Sequence, residues 1–286
     1  GDAGVDLQSL MPEADEPEVV TRFEAETAMR RPVSTPAHVA ARRDEGGFAR
    51  GGDRTSLRLS DEQVALIRTV AEANPRTVVA IVAGSAVVMS EWDTTVAAIL
   101  QSWYSGMEGG HALADVLFGD VDAAGRLPFT VPTVEGHLPI FDRDASEFAY
   151  DHWHGWWKLA RDGNAAAYPF GFGLSFTTFE IGAVSAEVAD DVVHLTVEAR
   201  NTGPRPGTDV VQVYAAEPLR LIGFARVELA AGEARDVDIV IPTARLAIRD
   251  TDRHAMVVRP GAYDLRVARS AEEAGVAVRV EITPSA

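Results

Sequence analysis

Cysteine is absent from the 286 residues, which excludes disulfides, thiolate metal sites and cysteine nucleophiles. No stretch approaches the ~18 uninterrupted apolar residues that a membrane-spanning helix needs. Nothing at the N-terminus reads as a basic region followed by an apolar signal core, so no compartment is indicated. Positive charge is scarce: 26 Lys and Arg stand against 43 Asp and Glu, a formal net charge of −17. That balance repels nucleic acid and anionic lipid and leaves neutral or cationic partners. Internal repeats and low-complexity tracts are lacking as well. What is present, 47% hydrophobic and 24% charged residues, is the composition of a soluble globular protein long enough for two domains.

Residues 1–40 are acidic, dotted with proline and weakly periodic, and Met11 to Val20 is expected as a surface segment;. They are left unassigned. From Ser60 the signals sharpen. Ser60 with Gln63 is a capping-box pattern, and Val64, Ile67, Val70 and Ala71 follow at helical spacing, so a helix is expected to stop at Asn74, before Pro75;. Thr77 to Val82 is a β-branched run without polar alternation, which suits a strand buried on both faces of a parallel sheet, and Val96 to Trp103 reads as the next strand;. Leu113, Val116 and Leu117 mark one face of a short helix, with Gly119 where a helix C-terminus needs positive φ;. This order predicts an α/β domain over 41–145, a doubly covered and mainly parallel sheet. Such a sheet binds ligands at the carboxyl ends of its strands, where Gly84-Ser85 and Tyr104 to Gly110 would lie.

Residues 146–180 read as an aromatic-rich linker. Beyond them the pattern changes to period two. Val193, Leu195, Val197 and Ala199 alternate with polar residues, and Tyr263 to Val267 and Val276 to Val280 do the same;. With turns at Asn201 to Pro204, Ala231-Gly232 and Arg259 to Gly261, residues 181–286 predict an all-β, fibronectin type III-like sandwich;.

Three passages carry a family resemblance. Tyr104 to Pro132 (YSGMEGGHALADVLFGDVDAAGRLPFTVP) joins a glycine-rich loop, a helix, a tight turn and a proline-bounded strand. It resembles the second-domain signature of glycoside hydrolase family 3. Arg76 to Trp92 (RTVVAIVAGSAVVMSEW) is similar to the family's buried strand and "GSPV" turn, and Tyr168 to Phe179 (YPFGFGLSFTTF) to its "PFGxGLSYTxF" passage. The resemblance runs from about Glu45 to the C-terminus and lacks the barrel that carries the family's nucleophilic aspartate. It implies part of an exo-acting, retaining, β-glucosidase-like enzyme that hydrolyses terminal sugars without a cofactor. Its partners would be a carbohydrate substrate and a barrel domain or chain, and self-association stays open. A non-catalytic carbohydrate-binding or scaffolding module is the alternative.

Retaining glycosidases need two carboxyl groups about 5 Å apart, one a nucleophile and one a proton donor with a raised pKa. In many family members the donor lies on a loop before a Gly-Asp-Arg element, which here is Gly52-Asp53-Arg54. Counting back from Ser60 at the spacing of members with a Glu-Gly pair reaches Glu45-Gly46, so the resemblance makes Glu45 the candidate donor, with Asp44 its nearest competitor. Some relatives carry the donor three residues before the Asp-Arg pair, where this chain has Arg50. Asp53 and Arg54 either fix the loop end or contact sugar. Trp153 and Trp156, within His152 to Trp157, either stack on sugar rings or pack against the protein. Glu91, in Ser90-Glu91-Trp92, and Glu108, before a helix N-terminus, read as structural. His152 and His154 have no acidic partner at ligand spacing, so no metal site is expected. No Gly-Lys-Ser/Thr follows the glycine loop, so neither is a nucleotide site.

Overall fold

A computed structural model describes residues 19–21, 54, 56–142, 145, 147 and 151–283. They fall into two compact units: Gly1–Leu113 with Val131–Ala167, and Ala114–Thr130 with Tyr168–Ala286. The chain therefore leaves the first unit at Leu113, returns at Val131 and leaves again at Ala167.

The first unit is built on a parallel sheet of order β1-β2-β3, with β1 Val19–Thr21, β2 Val78–Ile81 and β3 Ala98–Gln101. All four β2 residues are buried, as a central strand of β-branched residues should be;. β3 is half-exposed instead. β1 is a departure from expectation, because Val19 and Val20 are sheet backbone paired with β2. Three residues beside Pro17 and Glu18 are too few to show a period. Helix α1, Asp61–Ala73, precedes β2. Ser60 and Gln63 cap it reciprocally, Val64, Ile67 and Ala71 are its buried stripe, and Asn74 ends it;. Helix α2 is Gly109–Phe118, with Leu113, Val116 and Leu117 half-buried. It stops at Gly119, whose φ of +79° is the left-handed conformation that glycine adopts without a Cβ penalty;. A short strand β4, Val131–Pro132, pairs with β5, Ala166–Tyr168. Helix α3, Gly155–Asp162, lies in the stretch read from composition as a linker.

The second unit is a β-sandwich. One sheet has the order β10-β7-β6 and the other β14-β13-β8-β9, spanning Phe179–Ala189 (β6), Val192–Asn201 (β7), Gly207–Ala216 (β8), Leu219–Leu229 (β9), Ala234–Pro242 (β10), Gly261–Ala268 (β13) and Val276–Ile282 (β14). A small hairpin, β11 Ile248–Asp250 and β12 Ala255–Val257, lies between β10 and β13 in sequence. β6 and β7 join through Asp190-Asp191, both at positive φ, the backbone of a tight hairpin turn;. Val193, Leu195, Val197 and Ala199 are at most 2% exposed and form the core with Val211, Val213, Leu229, Ile241, Leu265 and Val267.

β8 is buried on both faces, because segments 114–130 and 168–178 cover its outer side. Asp122 accepts from the Thr208 amide at 2.7 Å, the Ser175 hydroxyl at 2.7 Å and the Phe176 amide at 3.1 Å. Burial pushes the Asp122 carboxyl up, but these bonds and the nearby Arg126 guanidinium outweigh it and hold it below its ordinary value;. Arg126 donates to Asp209 at 2.6 Å, with both side chains at most 10% exposed. Gln212 donates to Gly171 O and Arg269 O at 3.0 and 2.6 Å and accepts from the Tyr214 hydroxyl at 2.6 Å.

Candidate active site

The carboxyl ends of β2 and β3 bring together three features of the sequence. After β2 the chain turns at Gly84-Ser85, and Gln101 of β3 donates its amide to Ala83 O at 2.8 Å. After β3, Trp103 (φ 54°) and Gly106 (φ 71°) bend the backbone while the Ser105 hydroxyl caps Ser102 O at 2.8 Å. This lays the Tyr104 ring on the turn. A Cβ on Gly84 would sit 2.8 Å from Tyr104 Cε2, so glycine is what permits the approach;. Tyr104 is nonetheless 77% exposed and Met107 98% exposed, so this end of the sheet shows an aromatic face to solvent.

Arg54 reaches the same turn, donating to Ser85 Oγ and, at 2.8 Å, to Ala86 O. The residues after it are fixed just as closely. Val88 N donates to Leu57 O at 2.9 Å. Arg58 grips Glu91 with two donors at 2.8 and 2.5 Å, while Arg68 donates to the Glu91 carbonyl at 2.6 Å. Glu91 is therefore an ion-pair anchor, the structural role its sequence context suggests. Glu135 closes the other side, accepting from the Leu57 amide and, at 2.8 Å, from the Ser56 hydroxyl. Glu135 opens a 3-10 turn, Glu135–His137, just beyond the buried strand β4. That turn is held by Ser90 Oγ donating to Thr133 O at 2.8 Å and by Thr133 Oγ1 and His137 Nδ1, 3.1 Å apart.

The aromatic cluster sits on and before α3. Trp153 donates its backbone N–H to Asp151 Oδ1 at 2.8 Å and has His152 4.4 Å away and the Arg161 guanidinium 5.0 Å over its ring. One π face of Trp153 is thus taken by a cation. Trp156 packs edge-to-face on Trp157 at 6.0 Å. Asp162 at the end of α3 accepts from Arg161 at 2.6 Å and Lys158 at 2.5 Å, and these bonds lower its carboxyl to about 2.

Of the site residues expected from sequence, Glu45 and Asp53 lie outside the described residues. Arg54 holds the Gly84-Ser85 turn, while Trp153 and Trp156 belong to the separate cluster around α3. Glu108 pairs with His111 at 2.7 Å on an exposed surface. Among the described residues, no three His, Asp or Glu side chains gather as a metal site. Sequence reasoning missed Glu135. Its place shortly after Pro132 of β4 is the only local hint, and its partners lie 78 and 79 residues away.

Comparison with known proteins gives the following. Residues 19–176 match the Glycosyl hydrolase family 3 C-terminal domain and residues 209–271 the Fibronectin type III-like domain. A "Beta-glucosidase" of Rhizobium radiobacter is 35% identical over 252 residues, covering 81% of this chain and 31% of that protein. A "Xylan 1,4-beta-xylosidase" of Xylanibacter ruminicola is 32% identical over 228 residues, covering 77% of this chain and 25% of that protein. The solved structure of a GH3 beta-glucosidase from Bifidobacterium adolescentis aligns at a TM-score of 0.75 and 30% identity, over 82% of this chain and 37% of that one. DesR, a beta-glucosidase from Streptomyces venezuelae solved with D-glucose, aligns at 0.75 and 31%, over 82% and 32%. The chain thus spans between 25% and 31% of the length of these two curated relatives.

Proposed function

Because the chain belongs to glycoside hydrolase family 3, we propose that it is part of an exo-acting, retaining β-glycosidase that releases terminal non-reducing sugars. It supplies the acid/base loop, with Glu45 as proton donor, and a barrel domain outside this chain supplies the nucleophile. On this reading residues 41–145 form an α/β sandwich domain whose sheet is covered on both faces, and 181–286 the fibronectin type III-like domain.

The chemistry balances without a cofactor. The barrel carboxylate attacks the anomeric carbon as the Glu45 carboxyl passes its proton to the departing glycosidic oxygen. Glu45, now a carboxylate, then takes a proton from the water that cleaves the glycosyl-enzyme. Two displacements retain the configuration. Asp53 and Arg54 would meet the sugar at the loop end, and Trp153 and Trp156 would offer ring faces for its axial C–H groups. The relatives named for β-glucose and β-xylose make those two glycosides the substrates to try.

One observation carries this reading. Arg54, directly after the proposed loop, is bound to the Ser85 turn at the carboxyl end of β2, the end of a parallel sheet where ligands bind. The purified 286-residue chain should not hydrolyse aryl β-glycosides alone and should recover activity on adding a barrel-bearing partner. Absence of recovery with any barrel partner would favour the non-catalytic module.

A further inference from the structure

We propose that Tyr104 is a specificity-determining residue: its ring is a platform on which the aglycone sugar of the substrate stacks. The proposal rests on the glycosidase reading above, but not on which residue donates the proton.

A tyrosine ring gains from burial, yet Tyr104 is 77% exposed although the backbone on either side of it is firmly held. Ser102 N donates to Ile81 O at 2.8 Å, which ties the end of β3 to β2, and Ser105 Oγ donates back to Ser102 O at 2.8 Å. Ser105 also lies close against the start of α2, since a Cβ on Gly109 would come within 2.8 Å of Ser105 Cβ. Between these anchors Trp103 adopts φ 54°, a conformation unfavourable to a residue with a side chain;. The ring is therefore held out toward water by its surroundings. One edge rests on the Gly84 turn, 2.8 Å from where a Cβ would stand.

Such a ring offers a flat apolar face with polar groups at its rim. Ser85, beside Gly84, is exposed and accepts from Arg54 through Oγ, which leaves its own O–H proton to donate. A pyranose with equatorial hydroxyls matches both features, with axial C–H groups for the π face and hydroxyls around its edge. Its neutrality suits a chain of formal net charge −17;. The Gly84-Ser85 turn and Tyr104 follow the paired parallel strands β2 and β3, at the carboxyl ends where such sheets bind ligands;. Exposure selects which sugar is bound. An exo-acting enzyme encloses the terminal unit that it releases, whereas the aglycone reaches toward solvent, so an open platform serves the aglycone.

The test uses the glycosidase that contains this chain and compares a disaccharide, cellobiose or xylobiose, with the methyl glycoside of the same sugar. Both release an alcohol that departs only when protonated, so the ratio of their kcat/KM values reads contact with the second ring. Tyr104→Ala should lower that ratio by about 3- to 10-fold, the scale of one aromatic contact, through a raised KM for the disaccharide. Tyr104→Phe keeps the ring and should hold the ratio within about twofold of the parent. Gly84 is not at positive φ, so Gly84→Ala suits the backbone and acts by pushing the ring off the turn; it should lower the ratio too.

An unchanged ratio in Tyr104→Ala would overturn the proposal, as would a loss in Tyr104→Phe as large as in Tyr104→Ala. Equal losses on both substrates with a lowered melting temperature would show another domain packed on the ring, and the proposal falls. Should Tyr104→Ala fail to fold, Gly84→Ala decides by the same ratio. If Glu45→Gln leaves the leaving-group dependence unaltered while Tyr104→Ala lowers the ratio, the platform stands and only the donor assignment is lost. If the parent hydrolyses neither substrate, the glycosidase reading falls and takes the platform with it.

Discussion

Replacing Asp209 with alanine should be the most damaging single change in the β-sandwich unit outside its apolar core. Asp209 is 3% exposed at the side chain and binds Arg126, 10% exposed, at 2.6 Å. Without it, Arg126 keeps, among the described residues, the carbonyls of Ala124 and Gly125 as hydrogen-bond acceptors, at 3.1 and 3.0 Å, and its buried Nε has no hydrogen-bond partner among them. Arg269 also feels the Asp209 charge, so Arg126 would be left with the more distant Asp122 carboxylate and Arg269 with Glu273, 2.8 Å away. Stranding a buried charge costs about 3–5 kcal/mol. At about 3 °C per kcal/mol for a unit of this size, the melting transition should fall by ~10–15 °C. Replacing both partners by apolar residues, Arg126→Met with Asp209→Leu, should come close to the parent, since an ion pair exchanged for packed hydrocarbon is nearly neutral. Scanning calorimetry of the parent, Asp209→Ala, Arg126→Met, Asp209→Leu and the double variant reads this directly. A loss below about 1 kcal/mol for Asp209→Ala, the scale of an exposed ion pair, would refute the account, and so would a double variant that shows the sum of the two single losses.

Gly171→Ala should destabilise the same unit by at least ~3 kcal/mol, since φ is +80° and the new Cβ would lie 2.0 Å from Gln212 Oε1 and 2.7 Å from Tyr214 Oη;. Urea unfolding measures it, and a loss under ~1 kcal/mol would mean that the 168–178 segment does not press on β8 as described. Asp122 is held below the ordinary aspartate value, so its contribution is fully present above that ordinary value and fades as the pH falls through the lower, folded value. The stability gap between the parent and Asp122→Ala should therefore be constant from neutral pH to about 5 and shrink on further acidification. A gap that widens with acid would contradict the hydrogen-bond assignment.

Features of short range were legible in the sequence. Ser60 and Gln63 cap α1 from three residues apart, Gly119 terminates α2, and the period-two residues of β7 face the core because alternation is a property of the strand itself;. What was not legible depends on distant partners. Thr208, Gln212 and Tyr214 are polar residues at most 4% exposed, buried because segments 114–130 and 168–178 cover β8, and no local pattern announces that cover. Val19–Thr21 becomes a strand through pairing with β2, although its three residues carry no period. In the candidate site, the Gly84-Ser85 turn and Tyr104 were placed correctly at the strand ends by the order of strands alone. The Arg161 guanidinium over Trp153 and the Glu135 contacts arise from side chains that meet only after folding. Trp153 accordingly read as a ring that either stacks on sugar or packs against the protein, and Glu135 as one acid among 43.

The most direct measurement is the dependence of kcat/KM on leaving-group pKa for Glu45→Gln in the glycosidase that contains this chain. A proton donor at Glu45 predicts a steep line, with large losses for alkyl and sugar aglycones and near-parental rates for dinitrophenyl glycosides, whose oxygen departs without protonation. A line parallel to the parent's, with all substrates slowed equally or not at all, would show that Glu45 does not deliver the proton.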